Sequence, residues 1–509
     1  MMAKPKEERM IKQPTMFLAL LPIFTMVILL CLGYVLFELP PEPLIIASAI
    51  VAGLIAIKLG YSYNDILESI SQKIAKTMPA ILILIVVGFM IGAWMVGGTI
   101  PMMIYYGLRI IDPQFLLITA FLVTSVVSVC TGTSWGSAGT IGVAFMGVGA
   151  GMDANLAAVA GAVVAGAYFG DKLSPLSDTT NIAALSTGVN LYEHIGHLLY
   201  TTLPSFFVAG IVYVVTGLNT HVSSVGVPEK VTEIMNTMTT IYDWNLLLIL
   251  PVLIVLYGSI TKKPTIPVML LSSIVAMANG MIFHGFTLHD VVTSVVSGFD
   301  IAMVHVSGFD PNTVIADIPR LINRGGMSSM MGTLLICFSA ITFAGTISLT
   351  KSLELIVDKL LKHVRSTGSL ILATIATGLT MIGVTSNGQV SILMPGEMLR
   401  EAYIRRGLHP KNLGRTVEDS AAITEPILPW TAAGAYMAGT LGVATLSYLP
   451  WAVLCWTGII FATIWGFTGF GIAKLTPEQQ EEMLKEYDNP HKGSQNKPHA
   501  DDAGAASVH

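Results

Sequence analysis

The sequence predicts an all-α polytopic membrane protein made of two repeats of inverted topology. Three observations predict this fold: few charges, long uncharged stretches, and short polar motifs that occur twice in the same order. Of the 509 residues, 53% are hydrophobic and only 12% are charged, whereas an ordinary soluble domain has about 25% charged residues. Asp, Glu, Lys and Arg are missing from residues 13–37, 77–108, 113–152, 244–261, 366–396 and 426–473. Each stretch approaches or exceeds the roughly 20 residues that a helix needs to cross a bilayer.

The charges around the first helices predict the orientation of the chain. Residues 1–15 carry four basic residues and are expected in the cytoplasm, because basic residues stay on that side. The apolar segment 16–37 is too long for a signal peptide and lacks a small-residue cleavage site, so a retained helix is expected. A second helix at about 44–58 returns the chain, and residues 63–76 are expected to lie on the membrane surface.

Four short motifs occur in both halves of the chain in the same order, which indicates a duplicated unit. The two copies of the first motif are closer together along the chain than the copies of the other three, so an insertion is expected near 297–311. The motifs pair Gly60–Leu67 with Gly285–Val292, Gly98–Ile100 with Gly345–Ile347, Thr133–Gly136 with Thr385–Gly388, and Ser174–Leu176 with Glu425–Ile427.

The charges that flank the two copies predict opposite orientations in the membrane. Acidic residues bracket the uncharged stretch that contains Thr133, whereas basic residues bracket the one that contains Thr385. Because basic residues favour the cytoplasmic side, the first stretch is expected to open outward and the second inward. Each stretch has one kind of charge at its ends and a polar motif near its middle, so each is expected to form a re-entrant hairpin.

Each copy is therefore expected to contain about five transmembrane helices, one of them interrupted, and one re-entrant hairpin. This arrangement places both termini in the cytoplasm. The expected crossings are 16–37, 44–58, 77–97, 154–190, 195–217, 244–261, 265–283, 328–349, 416–446 and 448–473. The expected organisation is a cytoplasmic segment 1–15, a first repeat 16–217, an extracytoplasmic linker 218–243, a second repeat 244–473 and a disordered cytoplasmic tail 474–509.

The richest polar run is Gly170–Asn181, which lies between two uncharged segments. Pro175 removes a backbone donor and breaks the helix, which frees carbonyl groups for a cation. Ionisable residues inside a membrane are functional candidates by default, so Asp171 and Asp178 are candidate carriers of Na⁺ or H⁺. The other candidate binding residues of this run are Lys172, Ser174, Ser177, Thr179 and Asn181.

Glu425 occupies the corresponding place in the second half, directly before a proline and after Thr424. Burial disfavours the charged form of a carboxyl group, so Glu425 is a candidate proton carrier and Thr424 a candidate ligand. The alternative is a structural pair between Glu425 and Lys172 or an arginine.

Other ionisable residues near the breaks are expected to be peripheral. Glu418 and Asp419 follow Arg415 closely and are expected at the inner membrane interface. His194 and His197 lie near a predicted helix end, where their side chains are expected to reach the interface. Sensing of pH by a histidine is the alternative.

The hairpin tips offer hydroxyl, amide and carbonyl oxygens that face the interrupted helices. The tip candidates are Thr133, Ser134, Thr385, Ser386 and Asn387. Hard oxygen ligands suit Na⁺, and its expected ligands are Asp178, Asn181, Thr133, Ser134 and Asn387.

Gly132–Gly136 also fits the Gly-x-Ser-x-Gly pattern of hydrolases. That pattern needs a strand before it and a soluble sheet around it, neither of which this apolar segment predicts. The chain also has no His-Glu-x-x-His run and no cysteine pair with metal-ligand spacing. An enzyme is therefore not expected, nor is a cofactor or a nucleic-acid partner.

The run Gly170–Asn181 resembles the signature of the NhaC-type Na⁺/H⁺ antiporter family, and the Thr-Glu-Pro sequence around Glu425 is similar to its second half. The resemblance covers about residues 16–473. It implies inverted repeats whose hairpin tips and interrupted helices meet at the transport site. It also implies a scaffold domain, a transport domain that moves as an elevator, and a homodimer.

The expected function is exchange of Na⁺ for H⁺ by alternating access across the inner (cytoplasmic) membrane. Asp171, Asp178 or Glu425 is expected to bind Na⁺ and H⁺ in turn. The family that the chain resembles also contains malate–lactate exchangers and amino-acid carriers. A Na⁺- or H⁺-coupled carrier of a small carboxylate or an amino acid is therefore the alternative, with Lys172 as the cation for the substrate carboxylate.

Overall fold

The structure is a computed structural model that describes residues 11–30, 32, 33, 37, 39–219, 229–261, 263–315, 317–362 and 364–488. Residues 1–10, the middle of the expected linker and the end of the expected tail lie outside the described residues. Within the described ranges the regular structure is helical, apart from an isolated antiparallel bridge between Leu408 and Lys474. The expected all-α fold is confirmed.

The first half of the chain contains the helices α1 to α10, with a 3₁₀ turn before α5 and a π-helical segment between α6 and α7. The helices are α1 Met16–Leu29, α2 Pro41–Leu59, α3 Tyr63–Val96, α4 Thr99–Ile110, α5 Leu116–Thr131, α6 Ser134–Ser137, α7 Val143–Gly151, α8 Leu156–Leu173, α9 Asp178–Thr187 and α10 Leu191–Leu218. The 3₁₀ turn is Pro113–Phe115 and the π segment is Ala138–Gly142.

The second half contains α11 to α24 and several short irregular helical turns. The helices are α11 Glu229–Ile241, α12 Leu250–Ile260, α13 Thr265–Phe283, α14 Leu288–Ser297, α15 Asp317–Ile322, α16 Met331–Leu349, α17 Ser352–Leu361, α18 Thr367–Thr385, α19 Gly388–Arg405, α20 Lys411–Val417, α21 Ala432–Leu441, α22 Thr445–Tyr448, α23 Val453–Thr468 and α24 Pro477–Asp488. A π segment, Glu418–Ala422, follows α20, and a 3₁₀ turn, Glu425–Ile427, precedes α21.

The chain is a multi-pass membrane protein. Eight helices of the described residues are long and apolar enough to cross a membrane, or nine if the bent pair Val231–Ile241 and Leu246–Gly258 is one span. The apolar helices α1 and α23 are shorter, with 14 and 16 residues. They occupy the places of the first and last expected crossings.

Three expected segments differ from the structure. Residues 63–76 are not a separate surface helix, because α3 continues without a break for 34 residues from its capping box at Ser62. The expected linker contains α11. The expected disordered tail begins with α24, which is held to the rest of the chain by a 2.9 Å hydrogen bond from Gln480 Nε2 to Ile404 O.

The chain on both sides of the expected insertion near 297–311 packs against α3. Gly326 N donates to Gly88 O at 2.8 Å, and Ser294 Oγ at the end of α14 donates to Gly92 O at 2.8 Å. A Cβ at Gly92 would lie 2.3 Å from Ser294 O. Glycines on this face of α3 therefore allow the two backbones to meet.

Glycines also bring α8 against α5. A Cβ at Gly166 would lie 2.4 Å from Phe121 O, and one at Gly170 would lie 2.4 Å from Ser128 Cβ. These distances leave no room for a side chain, so the glycines of α8 allow the two helices to pack closely. The contact belongs to a large apolar core around α3, α4, α5 and α8, and a second core surrounds α2, α18 and α19.

Backbone features of the first half recur in the second half at one constant offset in residue number. The helices α9 and α21 both have ten residues, and they begin at Asp178 and Ala432. The difference between these two residue numbers is called the repeat offset below. The N-caps and the left-handed C-caps of the two helices keep it, pairing Ser177 with Thr431 and Gly188 with Gly442.

The hairpin turns keep the repeat offset as well, which corrects the register of the sequence match. The residue with positive φ at the turn is Gly132 in the first half and Ser386 in the second. Thr131 and Thr385, which precede these residues, each lie in hydroxyl contact with a serine of the following helix. Thr385 therefore corresponds to Thr131, and the expected match of Thr133 with Thr385 is wrong in register.

Candidate functional site

The first hairpin turns at the break between α5 and α6. Gly132 adopts φ 68°, a left-handed conformation that glycine reaches without strain. Thr133 then caps α6, because its Oγ1 accepts a 3.2 Å hydrogen bond from Gly136 N. Ser137 Oγ donates to Thr133 O at 2.9 Å. Thr133 therefore shapes the tip through its side chain.

The second hairpin turns in the same way between α18 and α19. Ser386 adopts φ 54°, and its Oγ donates to Trp430 O at 3.3 Å. Asn387 caps α19, because its Oδ1 accepts a 3.0 Å bond from Val390 N. Thr385 Oγ1 and Ser391 Oγ are 2.7 Å apart. The tip residues predicted in both halves are thus brought to two similar turns.

A buried carboxyl group meets the first helical residue after each turn. Asp171, in the last turn of α8, is 9% exposed and accepts a 2.8 Å bond from Ser134 Oγ. Glu425 is 8% exposed, and its Oε1 accepts a 3.1 Å bond from Gly388 N. The repeat offset separates Asp171 from Glu425, and it also separates Ser134 from Gly388. Asp171, not Ser174 beside the proline, is the counterpart of Glu425.

The side chains at the two carboxyl sites are complementary in size. A Cβ at Gly388 would lie 2.4 Å from Glu425 Oε2, so the longer Glu425 needs a glycine at the start of α19. In the first half the carboxyl group is one methylene shorter, and the Ser134 hydroxyl reaches it instead. The first half thus combines aspartate with serine, and the second combines glutamate with glycine.

The two carboxyl groups belong to one electrostatic system. Asp171 and Glu425 interact with each other and with Tyr168 of α8, whose side chain is buried. Tyr168 is not among the residues that the sequence predicts for the site, because a tyrosine on an apolar helix is typical of the hydrophobic core. The corresponding position in the second half, residue 422, is alanine, so this tyrosine occurs in the first half and is not repeated.

The break between α8 and α9 is held by its own polar side chains. Ser174 Oγ donates to Val129 O at 2.8 Å, and Asn181 Nδ2 donates to Pro175 O at 3.0 Å. Thr180 Oγ1, which was not predicted, donates to Lys172 O at 3.1 Å. These bonds satisfy carbonyl groups that the broken helix leaves free.

The remaining predicted residues of this run differ in exposure, since Ser177 is buried beside Asp171. Asp178 and Asn181 are exposed, and Asp178 occupies the first position of α9. Ser177 Oγ and Thr179 Oγ1 are 3.0 Å apart. The structure therefore separates Asp178 from the buried Asp171, although the two looked alike in the sequence.

The second break is closed by hydroxyl groups. Thr431 Oγ1 donates to Glu425 O at 2.6 Å and caps α21, while Tyr448 OH donates to Pro426 O. The predicted Thr424 Oγ1 donates to Ser420 O, on its own helical turn. These contacts fix the backbone on both sides of the Glu425 carboxyl group.

Lys172 forms a buried ion pair with Asp419. Lys172 is 3% exposed and Asp419 is 0% exposed, so Asp419 lies inside the protein. Thr201 Oγ1 also donates to Asp419 Oδ1 at 3.2 Å. In the sequence, a lysine inside an apolar segment indicates such a pair, because a buried charge needs an oppositely charged partner. Lys172 pairs with Asp419 and not with Glu425.

The histidines of α10 are buried as well. His194 is 0% exposed, and its Nε2 lies 3.4 Å from Glu418 Oε1, whereas His197 Nε2 lies 3.1 Å from Asn412 Oδ1. Both histidine side chains are buried in contacts within the protein, so the expectation that they reach the membrane interface is wrong. The first turn of α10 packs on α20.

An aromatic pair ties the first hairpin to the second half. The rings of Trp135 and Tyr436 stack with centroids 4.3 Å apart, and Tyr436 OH donates to Trp135 O at 2.7 Å. Trp135 directly follows Ser134, so this contact fixes the start of α6. Both hairpins thus carry a carboxyl contact and a tryptophan contact near the tip, since Trp430 Nε1 donates to Gly383 O at 2.8 Å.

This arrangement suits binding of a small cation. A carboxylate buried in a membrane protein is costly unless a proton, a cation or a hydrogen-bond network compensates it. Asp171 and Glu425 are each met by one donor from a hairpin. Carboxylate oxygens are hard ligands.

Known proteins resemble this chain over most of its length. Residues 166–470 match the Na⁺/H⁺ antiporter family. An uncharacterized Na⁺/H⁺ antiporter of Haemophilus influenzae is 65% identical over 91% of this chain and 98% of its own. The Na⁺/H⁺ antiporter NhaC of Alkalihalophilus pseudofirmus is 32% identical over 91% and 98%. A malate-2H⁺/Na⁺-lactate antiporter of Bacillus subtilis is 32% identical over 90% and 96%.

Breaking the buried pair from one side should destabilise the protein. Lys172→Met leaves Asp419 buried without its partner, which costs about 3–5 kcal/mol of unfolding free energy. Lys172→Met combined with Asp419→Leu removes both charges and is expected to recover most of that loss. Thermal unfolding of the detergent-solubilised protein measures both effects.

The matched control is the exposed pair between Glu481 and Lys485 of α24. Lys485→Met should leave the unfolding temperature unchanged, because exposed pairs contribute little. A double variant at Lys172 and Asp419 that is as unstable as Lys172→Met alone would contradict the pairing.

Proposed function

We propose that this chain, which belongs to the Na⁺/H⁺ antiporter family, exchanges Na⁺ for H⁺ across its membrane by alternating access. The observation that carries the proposal is the pair of buried carboxyl groups, Asp171 and Glu425, each bound to the first helical residue after a hairpin turn. An antiporter needs a site that either ion can neutralise, and a buried carboxyl group provides one.

In the proposed mechanism Na⁺ and H⁺ compete for the same carboxyl groups. When Asp171 or Glu425 loses its proton, Na⁺ enters and is coordinated by the carboxylate and by oxygens of the tips and breaks. When a proton returns, the carboxyl group becomes neutral and Na⁺ leaves. The site moves between the two sides only when it is neutralised, because an uncompensated carboxylate in an apolar barrier is costly. That condition couples the two fluxes.

The Na⁺ ligands of the proposal divide into an inner and an outer group. Ser134 contacts the buried carboxyl group directly, and Thr133 and Asn387 expose tip oxygens beside the two sites. Asp178 and Asn181 lie on the exposed side of the first break, where they would contribute ligands as the ion approaches. The remaining tip and break residues would hold the backbone around the ion; they are Ser174, Ser177, Thr179, Thr385, Ser386 and Thr424.

We further infer that the two halves are inverted-topology repeats. The repeat offset holds for α9 and α21, for both hairpin turns and for both carboxyl contacts, which supports duplication. The opposite charges around the two hairpins support inversion. The proposal includes a transport domain that carries hairpins and broken helices past a scaffold, in a homodimer of the cytoplasmic membrane with both termini inside.

The second candidate is a carrier that couples Na⁺ or H⁺ to a small carboxylate or an amino acid. The relative named as a malate-2H⁺/Na⁺-lactate antiporter favours it. Such a substrate needs a cation for its carboxylate, and Lys172 is already paired with Asp419. Helix N-termini would then have to supply the positive charge, so simple ion exchange fits the site better.

Removing either buried carboxyl group should abolish exchange. Asp171→Asn and Glu425→Gln keep the shape and most hydrogen bonds but cannot hold the competing ions. In proteoliposomes, a Na⁺ gradient should drive proton flux with the wild-type chain, and flux with either variant should fall to that of protein-free vesicles. Asp178→Asn should keep exchange and raise the Na⁺ concentration needed for half-maximal flux.

Glu482→Gln on the exposed face of α24 is the matched control and should exchange as fast as the wild type. Adding malate, lactate or amino acids separates the second candidate, which requires flux that depends on one of them. Full exchange by both Asp171→Asn and Glu425→Gln would overturn the proposed site.

Rebuilding the serine–aspartate contact of the first half at the second carboxyl group should show that the two contacts are equivalent. Glu425→Asp withdraws the carboxyl group from Gly388 N, and Gly388→Ser places a side chain against Glu425, so each should slow exchange by about tenfold or more, as expected for a lost bond to a charged group. The double variant rebuilds the serine–aspartate contact of the first half and should exchange faster than either single variant. Flux through the double variant that is slower than through both singles would contradict the equivalence.

A further inference from the structure

We propose that Glu418 and His194 form a second proton-binding site, separate from Asp171 and Glu425. The two side chains are 1% and 0% exposed, and His194 Nε2 lies 3.4 Å from Glu418 Oε1. The ligand of this site is a proton shared between a carboxyl group and an imidazole. Its role in coupling rests on the proposed function, whereas proton binding itself does not.

The unpaired atoms of these two side chains carry the inference. Glu418 Oε2 and His194 Nδ1 have no hydrogen-bond partner among the described residues. A buried ionised carboxylate with an empty oxygen is costly, since burial removes its solvation and only one weak contact replaces it. Adding a proton to the pair turns the 3.4 Å contact into a charge-assisted bond or makes the carboxyl group neutral. Either outcome removes the isolated negative charge.

The charges around the pair also require added positive charge. Lys172 and Arg415 are the permanent cations of this buried cluster in the described part of the chain, and they face four carboxyl groups: Asp171, Glu418, Asp419 and Glu425. With all four ionised, the cluster carries two negative charges in excess. Asp171 and Glu425 interact with each other and form one place for a compensating ion. The Glu418–His194 pair provides the second.

The existing cations are directed elsewhere. Lys172 pairs with Asp419, and Arg415 Nη1 donates to Gly471 O at 2.8 Å. The titratable and charged groups on the elements packed around the pair are Tyr168, Asp171 and Lys172 of α8, Asp178 of α9, Tyr192, Glu193, His197, Tyr200 and Tyr213 of α10, Glu397, Arg400, Glu401, Tyr403 and Arg405 of α19, Lys411 and Arg415 of α20, Asp419 of the π segment and Cys455 of α23. In the described part of the chain neither Lys172 nor Arg415 forms a salt bridge or a hydrogen bond with Glu418, so the counter-charge that we propose for Glu418 is a proton.

The backbone at Glu418 also departs from a regular helix. Glu418 is the first residue of the π segment Glu418–Ala422, and such segments mark functional positions in helices. Its counterpart in the first half, residue 164, is valine, so this site is not duplicated.

Close packing fixes the histidine, because a Cβ at Gly414 would lie 2.9 Å from His194 Nδ1. Glu418 also interacts electrostatically with Asp171, which links the Glu418–His194 pair to the site proposed at Asp171 and Glu425.

Infrared difference spectroscopy tests proton binding without transport. The full-length protein is reconstituted without Na⁺, and its spectrum is recorded between alkaline and acid pH. Wild type should gain protonated-carboxyl bands; Glu418→Gln should lose one of them, and His194→Gln should shift the same band. The control His197→Gln, in the neighbouring buried histidine, should leave that band unchanged. A band set that is the same in wild type, Glu418→Gln and His194→Gln would overturn the site.

The proton-to-Na⁺ ratio of exchange, obtained from the flux reversal point in proteoliposomes, tests the link to coupling. Glu418→Gln and His194→Gln should move fewer protons per Na⁺ than wild type, and His197→Gln should match wild type. Unchanged ratios would overturn the coupling role, and a variant that loses bound Na⁺ while keeping its carboxyl band would overturn the choice of a proton as ligand. Lack of Na⁺/H⁺ exchange by the wild type would instead overturn the proposed function and leave the infrared result standing.

Discussion

The structure depends on the contact between a buried carboxyl group and the first helical residue after a hairpin turn. Asp171 meets Ser134 and Glu425 meets Gly388, and each contact joins a broken helix to a hairpin. Because an apolar surrounding strengthens a charged hydrogen bond and penalises its loss, the hairpin position and the charge of the carboxyl group depend on each other. In the proposed mechanism, a change of bound ion therefore alters the contacts of both hairpins.

The two halves share this contact but not its surroundings. The Lys172–Asp419 pair, Tyr168 and the Glu418–His194 pair have no equivalent at the repeat offset, since the matching positions hold other residue types. The symmetric part suits the alternating access that we propose, because both halves place a buried carboxyl group at a hairpin turn. The asymmetric part balances charge and holds the site together.

The all-α fold, the hairpin tips, the two breaks and the buried carboxyl candidates follow from the uncharged stretches and the prolines. The register between the halves does not, because a short run of threonine, serine and glycine can be matched in more than one register. The structure fixes the register through the residue with positive φ, Gly132 or Ser386, and through the hydroxyl contacts of Thr131 and Thr385. The burial of Asp419 and His194 also cannot be predicted from the sequence, because the nearby Arg415 indicates an exposed turn. Continuous packing of α10 against α20 decides it, and that contact joins residues that are distant along the chain.

The central claim is that Na⁺ displaces protons from Asp171 and Glu425. Proton release on adding Na⁺ to the purified protein in weakly buffered detergent solution tests it most directly, with Na⁺ binding followed separately by calorimetry. The wild type should release protons as Na⁺ binds, and the release should fall in the Asp171→Asn/Glu425→Gln double variant. Binding of Na⁺ to the wild type without proton release, or equal release by the double variant, would contradict the account.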